Sequence, residues 1–312
     1  MAVPETKVIK PVGQKTVAGK PSQQEVVKKA TRPPAFRIES NSGGQRRERY
    51  LKLLIYGNYG VGKTTLAATS SLVPSMGDVL MINAEAGDLS LEGMEDIDTI
   101  TINTFKALGQ INEFLKQHCE AREKGDMDKL ITMEAVLKGC EPADITKPRE
   151  YKTLIIDTLS EVESYCFDQL LGITDTITID QEVQSAEWGE YKQNNKMIQR
   201  VIRAFRDLPM NVIFTCGEKY NQDETKKYKY TLDMTGQLAK KVQGFMDMVG
   251  YYVMGRDGDK IVRKLCVLPS PTGKFDAKHR YARFKGDSFM NPTMESILKE
   301  VGLLDKEGAP LK

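Results

Sequence analysis

The sequence predicts an α/β fold: a mostly parallel sheet with helices on both faces, extended by a C-terminal β-hairpin. Three observations predict it. Short apolar runs of strand length are followed by segments of helical type, as in "LKLLIY" before "TTLAATSSL" and "LII" before "TLSEVESYCFDQLL". The first of these runs enters its helix through a glycine-rich loop. Near the C-terminal end, "GYYVMGR" and "KIVRKLCVLPS" pair naturally as a hairpin.

Composition sets the domain limits. The 312 residues are 40% hydrophobic, enough for one large core. Lys+Arg 45 against Asp+Glu 43 is close to balance, but residues 1–49 hold eleven Lys/Arg, four Asp/Glu and five of the 13 prolines. That stretch carries about +7 and leaves about −5 to the rest of the chain. Low apolar content and high charge predict a disordered basic tail over 1–49, open to a nucleic-acid or protein partner or simply solvated. The core is expected over 50–285, with 124–150 as an insertion, and a C-terminal helix and tail over 286–312. No apolar run reaches the length of a membrane span and the tail lacks the apolar centre of a secretory signal. A cytoplasmic protein without a membrane partner is expected. Five scattered cysteines without CxxC spacing and two distant histidines exclude a disulfide framework and a zinc cluster.

Residues 57–64, Gly57-Asn58-Tyr59-Gly60-Val61-Gly62-Lys63-Thr64, fit G-x-x-x-x-G-K-[ST] at every fixed position, between strand and helix. Such a loop turns backbone N–H groups and a helix N-terminus toward phosphates. Lys63 would reach the β- and γ-phosphates, the Thr64 hydroxyl would bind Mg²⁺, and Thr65 completes the nucleotide-contacting stretch. ATP and Mg²⁺ are the expected cofactors.

Two acids complete the expected site. Asp157 follows the apolar strand Leu154–Ile156 and is the candidate Walker B carboxylate, acting on Mg²⁺ through water; capping of the next helix is the alternative. Thr158 stands where AAA+ motors put a glutamate, so the water-activating acid must come from elsewhere. Glu85 ends the strand Val79–Ile82. A place for that strand beside the phosphate-loop strand would bring Glu85 to the ligand crevice, and an ordinary solvated loop acid is the alternative.

The order of phosphate loop, "NAEAGDL" and "LIIDT" resembles the RecA-type ATPase core, and the likeness spans about residues 50–285. It implies the catalytic role for Glu85, because "NAEAGDL" is similar to the Asp-Ala-Glu-His-Ala stretch of RecA. Thr215, at the end of "NVIFT", lies where that family senses the γ-phosphate with Gln. "FDAKHRYARF" holds Lys278 and Arg280, which resemble the Lys-x-Arg pair that RecA-like ATPases insert into a neighbouring subunit's nucleotide. The pair implies a homo-oligomer, a ring or filament. The likeness is greatest to small phage-encoded RecA-core ATPases of the single-strand-annealing type, which would work in the host cytoplasm alongside single-strand-binding or replication proteins. Partition ATPases need a lysine where Asn58 stands, and GTP switches need a glycine where Ser160 stands.

In that family, loops after the Walker B helix and after the sensor strand contact single-stranded DNA. The second here, 217–233, mixes Lys219, Lys226, Lys227 and Lys229 with Tyr220, Tyr228 and Tyr230. Cations for phosphates and rings for base stacking suit single-strand binding; a hairpin with solvated lysines and half-buried tyrosines is the alternative. The first, 172–193, is acidic around Asp180, Glu182 and Glu187, with Trp188 and Tyr191 free to stack or to pack. A long amphipathic helix follows, burying Met197, Ile198, Val201, Ile202 and Phe205 and leaving Arg200, Arg203 and Arg206 to solvent. The expected function is an ATP-binding and hydrolysing DNA-recombination protein that binds or anneals single strands. The alternatives are a nucleotide-dependent motor or loader in replication or packaging, and an assembly protein with negligible hydrolysis.

Overall fold

The computed structural model describes residues 50–85, 91, 93–94, 96–173, 182, 185–222 and 227–311. The basic tail lies outside the described residues, as do Asp180 and Lys226.

Strand β1 (Lys52–Tyr56) leads through the glycine loop into α1 (Lys63–Ala68), and β2 (Val79–Asn83) follows. Next come β3 (Ile97–Thr101), α2 (Phe105–Lys124) and α3 (Met127–Lys138). The chain returns through β4 (Thr153–Asp157), α4 (Leu159–Leu170), α5 (Trp188–Arg206) and β5 (Asn211–Cys216). A small hairpin, β6 (Glu218–Gln222) and β7 (Tyr228–Leu232), precedes α6 (Leu238–Phe245). The large hairpin is β8 (Met248–Asp257) with β9 (Lys260–Cys266), followed by β10 (Lys278–His279), β11 (Ser288–Met290) and α7 (Met294–Val301).

Among the described residues the main sheet runs β11-β9-β8-β1-β5-β4-β2-β3, with β10 beside the start of β8. The six strands from β8 to β3 are parallel, and β9 and β11 are antiparallel additions. The α/β class, the mostly parallel sheet and the C-terminal hairpin are thus as expected. Strand alternation sends successive side chains to opposite faces. Leu54, Leu80, Ile156 and Phe214 enter one core with α2, α4, α5 and α6, while Leu53, Met81, Ile155 and Ile213 enter the other with α1 and α7.

One expectation about order is corrected. β2 does not neighbour β1; β5 and β4 stand between them. Burial explains the arrangement: β4 and β5 are buried at every residue and take central positions, while half-exposed β3 takes the edge. The 124–150 stretch contains α3 and a 3-10 turn at Pro142–Asp144. Asp126 caps α3 by accepting from Lys129 N at 3.1 Å, and Glu134 fixes its far end by accepting from Arg149 N at 2.5 Å. Of the α5 arginines, Arg200 and Arg203 are exposed as expected and Arg206 is half-buried; the Arg203 and Arg206 guanidinium groups lie 4.4 and 5.9 Å from the Phe245 ring centroid.

Candidate functional site

The phosphate loop begins where β1 passes β8. A Cβ added at Gly57 would lie 2.2 Å from the Tyr252 carbonyl oxygen, so the close approach requires glycine. Gly60 and Gly62 have φ of 71° and 95°, the left-handed region that turns the loop back onto α1. The Lys63 ammonium folds over the loop, donating to the carbonyls of Gly57 at 3.0 Å and Asn58 at 2.9 Å, with the Tyr59 ring centroid 5.6 Å away. Tyr59 is 71% exposed and Thr65 is exposed beside it.

Asp157 lies beneath the loop, 4% exposed. Its Oδ2 accepts from Thr64 Oγ1 at 2.7 Å and its Oδ1 accepts from Thr215 Oγ1. Helix capping is not its role: Thr158 occupies the cap position of α4, and both Asp157 oxygens are held elsewhere. Thr215 is fully buried and supports the carboxylate. Glu85 is exposed at the rim. Partial withdrawal from water pushes its carboxyl up from the ordinary value, the Asp157 charge adds to this, and Lys63 opposes it. Desolvation likewise lowers the Lys63 ammonium, against the pull of Glu85 and Asp157. Lys63, Asp157 and Glu85 thus share one electrostatic neighbourhood although β2 and β1 are not adjacent.

A family model described as "AAA domain" matches residues 49–281. The chain belongs to this AAA domain family. None of the curated proteins compared matches it. Among solved structures, the flagellar accessory protein FlaH from Methanocaldococcus jannaschii aligns at 10% identity and TM-score 0.32, covering 76% of this chain and 83% of its own. A KaiC-like protein from Pyrococcus horikoshii OT3 aligns at 12% identity and TM-score 0.37, covering 78% and 89%. The RadB recombinase aligns at 14% identity and TM-score 0.37, covering 77% and 86%.

The donors of this AAA-domain protein fit a Mg²⁺ nucleotide. A hydroxyl and a carboxylate are hard oxygen ligands, and a Mg²⁺ site of this class takes its other oxygens from phosphates and water. Thr64 and Asp157 would hold the ion, and residues 57–65 would hold the phosphates. Two residues outside the phosphate-loop motif also act on the site, one by contact and one through its charge. Arg263 of β9 donates from Nε to the Val61 carbonyl at 3.0 Å and braces the loop from the hairpin. Glu161, in the first turn of α4, adds negative charge that acts on Glu85 and Tyr59; its place four residues after Asp157 was the available clue.

The small hairpin forms with its tyrosines on one face. Register pairs Tyr220 with Tyr230 and Gln222 with Tyr228, while Lys219 pairs with Thr231 and Lys229 with Asn221 on the other face. Tyr220 and Tyr228, 54% and 51% exposed, stack at 4.6 Å. Lys229 is ion-paired to Asp276 at 2.6 Å and Lys219 donates to the Met234 carbonyl. Ser160 ties the hairpin base to α4: its hydroxyl donates to Asp233 O at 3.1 Å and accepts from Gly217 N at 3.1 Å. Tyr191 packs edge-on against Phe167 at 5.1 Å, and Trp188 is 85% exposed.

Lys278 and Arg280 sit away from the loop end. Lys278 pairs with Val249, which pairs with Leu54, three residues before Gly57. Arg280 donates to Asp247 Oδ1 at 3.2 Å and to Gly244 O at 2.9 Å. Among the described residues no helix is long and apolar enough to cross a membrane.

Proposed function

We propose that this AAA-domain protein binds ATP with Mg²⁺ and hydrolyses it slowly, and that the cycle serves DNA recombination through binding or annealing of single strands, in the manner of the phage-encoded annealing ATPases. The observation that carries the reading is Asp157, held between Thr64 and Thr215 beneath Lys63, with Glu85 at the rim. Lys63 would exchange the Gly57 and Asn58 carbonyls for phosphate oxygens. Bound Mg²⁺ supplies neutralising charge for the phosphates. Glu85, its proton affinity raised, is suited to accept the proton of an attacking water. Lys278 and Arg280, remote from their own loop, would complete a neighbouring subunit's site in a ring or filament.

Single-strand binding rests on the exposed Tyr220–Tyr228 stack, a surface on which bases can lie. The inward bonds of Lys219 and Lys229 favour a second reading, a motor or loader whose DNA contact is indirect. One experiment separates the two: ATP turnover with and without oligo-dT, on wild type, Glu85→Gln and Tyr228→Ala, with DNA anisotropy followed in the same samples. The recombination reading expects DNA-stimulated turnover that Glu85→Gln abolishes, and DNA affinity reduced by roughly fivefold or more in Tyr228→Ala. Turnover without any DNA affinity supports the motor or loader; nucleotide binding without turnover removes the hydrolytic reading.

A further inference from the structure

Asn83 ends β2, and strand alternation sets its side chain on the face of Met81, the face that packs against α1. Its ladder partner on β4 is Asp157. Asp157 follows Ile155 on that face, and Thr215 follows Ile213 on it in β5. Three polar side chains therefore form a row across adjacent strands at the loop end of the sheet. Thr215 and Asp157 are joined to each other, and Asp157 is joined to Thr64 of the phosphate loop.

Asn83 is different. It is 1% exposed, and among the described residues neither Oδ1 nor Nδ2 has a hydrogen-bond partner. Burying an amide without partners costs the fold, and an apolar side chain in its place would carry no such cost. Asn112 and Asn194 each leave one amide atom unpartnered, whereas Asn83 leaves both and stands beside the carboxylate of the site. Neighbouring strands are about 4.8 Å apart, close to the span that one water bridges between two polar atoms. An amide offers a water both an acceptor and a donor, so it fixes the water's orientation as well as its place.

We propose that Asn83 is a positioning residue whose amide holds a water of the Mg²⁺–nucleotide shell beside Asp157. The proposal rests on the ATP–Mg²⁺ reading and extends it to the first residue of "NAEAGDL", to which the sequence assigned no role. Asn83 contributes to holding the metal and nothing to the stability of the nucleotide-free fold.

The test uses the full chain with Asn83→Leu and, should leucine not fold, Asn83→Thr, which shortens the side chain and drops the amide. Three quantities are measured: melting temperature without nucleotide, affinity for a fluorescent ATP analogue in EDTA, and Mn²⁺ affinity by electron paramagnetic resonance with a non-hydrolysable ATP analogue. Asn83→Leu is expected to keep a cooperative melt, to bind nucleotide normally in EDTA, and to lose tenfold or more in Mn²⁺ affinity. Asn83→Thr is expected to show the same loss of Mn²⁺ affinity with normal binding in EDTA. Mn²⁺ affinity unchanged in the variant overturns the proposal and leaves Asn83 as an inert core residue. No nucleotide binding by wild type, with or without Mn²⁺, removes the ATP reading and this proposal together; wild-type binding indifferent to residue 83 removes this proposal alone.

Discussion

Gly57→Ala tests whether the phosphate loop is held by close approach to β8. The added Cβ would meet the Tyr252 carbonyl oxygen at 2.2 Å and its carbon at 3.3 Å. Ordinary contact begins near 3.4 Å, so β1 and β8 must separate locally by about 1.2 Å, at the point where Tyr56 pairs with Tyr251. Both atoms are backbone, and no side-chain rotation relieves the clash. Forced overpacking of this kind costs about 3 kcal/mol, which for a chain of this size lowers the melting temperature by roughly 5 °C. Gly60→Ala is the matched control. Its φ of 71° strains an alanine, yet nothing lies within 4 Å of the new Cβ, so the cost is about 1 kcal/mol. Thermal melts of the two variants, with binding of a fluorescent ATP analogue, read both effects. Equal melting temperatures, with wild-type nucleotide affinity in Gly57→Ala, would refute the close-approach argument.

Thr215→Val removes the hydroxyl that donates to Asp157 Oδ1 and leaves a buried carboxylate oxygen without that partner; a loss of about 1.5–3 kcal/mol in chemical denaturation is expected, with Thr215→Ser restoring most of it. Arg263→Ala frees the Val61 carbonyl and is expected to weaken nucleotide binding by about fivefold, roughly 1 kcal/mol, while the melting temperature stays near wild type. Burial lowers Lys52 to about 8 from 10.5, against the pull of Asp247, while its ammonium donates to the carbonyls of Leu208 and Met210. The unfolded chain therefore keeps a proton between pH 8 and 10.5 that the folded chain has released, so stability rises with pH across that window by up to roughly 3 kcal/mol. Lys52→Met, compared with wild type by urea titration at pH 7.5 and 9.5, is expected to lose this rise. Alanine at both Lys278 and Arg280 is expected to abolish turnover and spare ATP binding; loss of binding as well would count against action on a neighbouring subunit.

The loop from Gly57 to Thr64 was legible because its chemistry is local: glycine conformations, a lysine and a hydroxyl at fixed spacing. Asp157 was legible as the polar end of an apolar strand. Strand order was not, since pairing between β1 and β5 joins Leu53 to Ile213 and leaves no trace in either neighbourhood. For the same reason Arg263, 202 positions from Val61, was invisible until β9 lay two strands from the loop. In the small hairpin the residue types were readable but their directions were not. Pairing register sets Lys219 and Lys229 opposite the tyrosine face, and Asp276, 47 positions from Lys229, captures its ammonium. The row beneath the loop combines both cases. Asn83 ends "VLMIN", Asp157 ends "TLIID", and Thr215 is the first hydroxyl after "NVIF", so each is a polar residue closing an apolar run. That rule is local and visible in the chain. Only the order β2-β4-β5 makes the three neighbours, and an order with β1 between β2 and β4 would have separated Asn83 from Asp157.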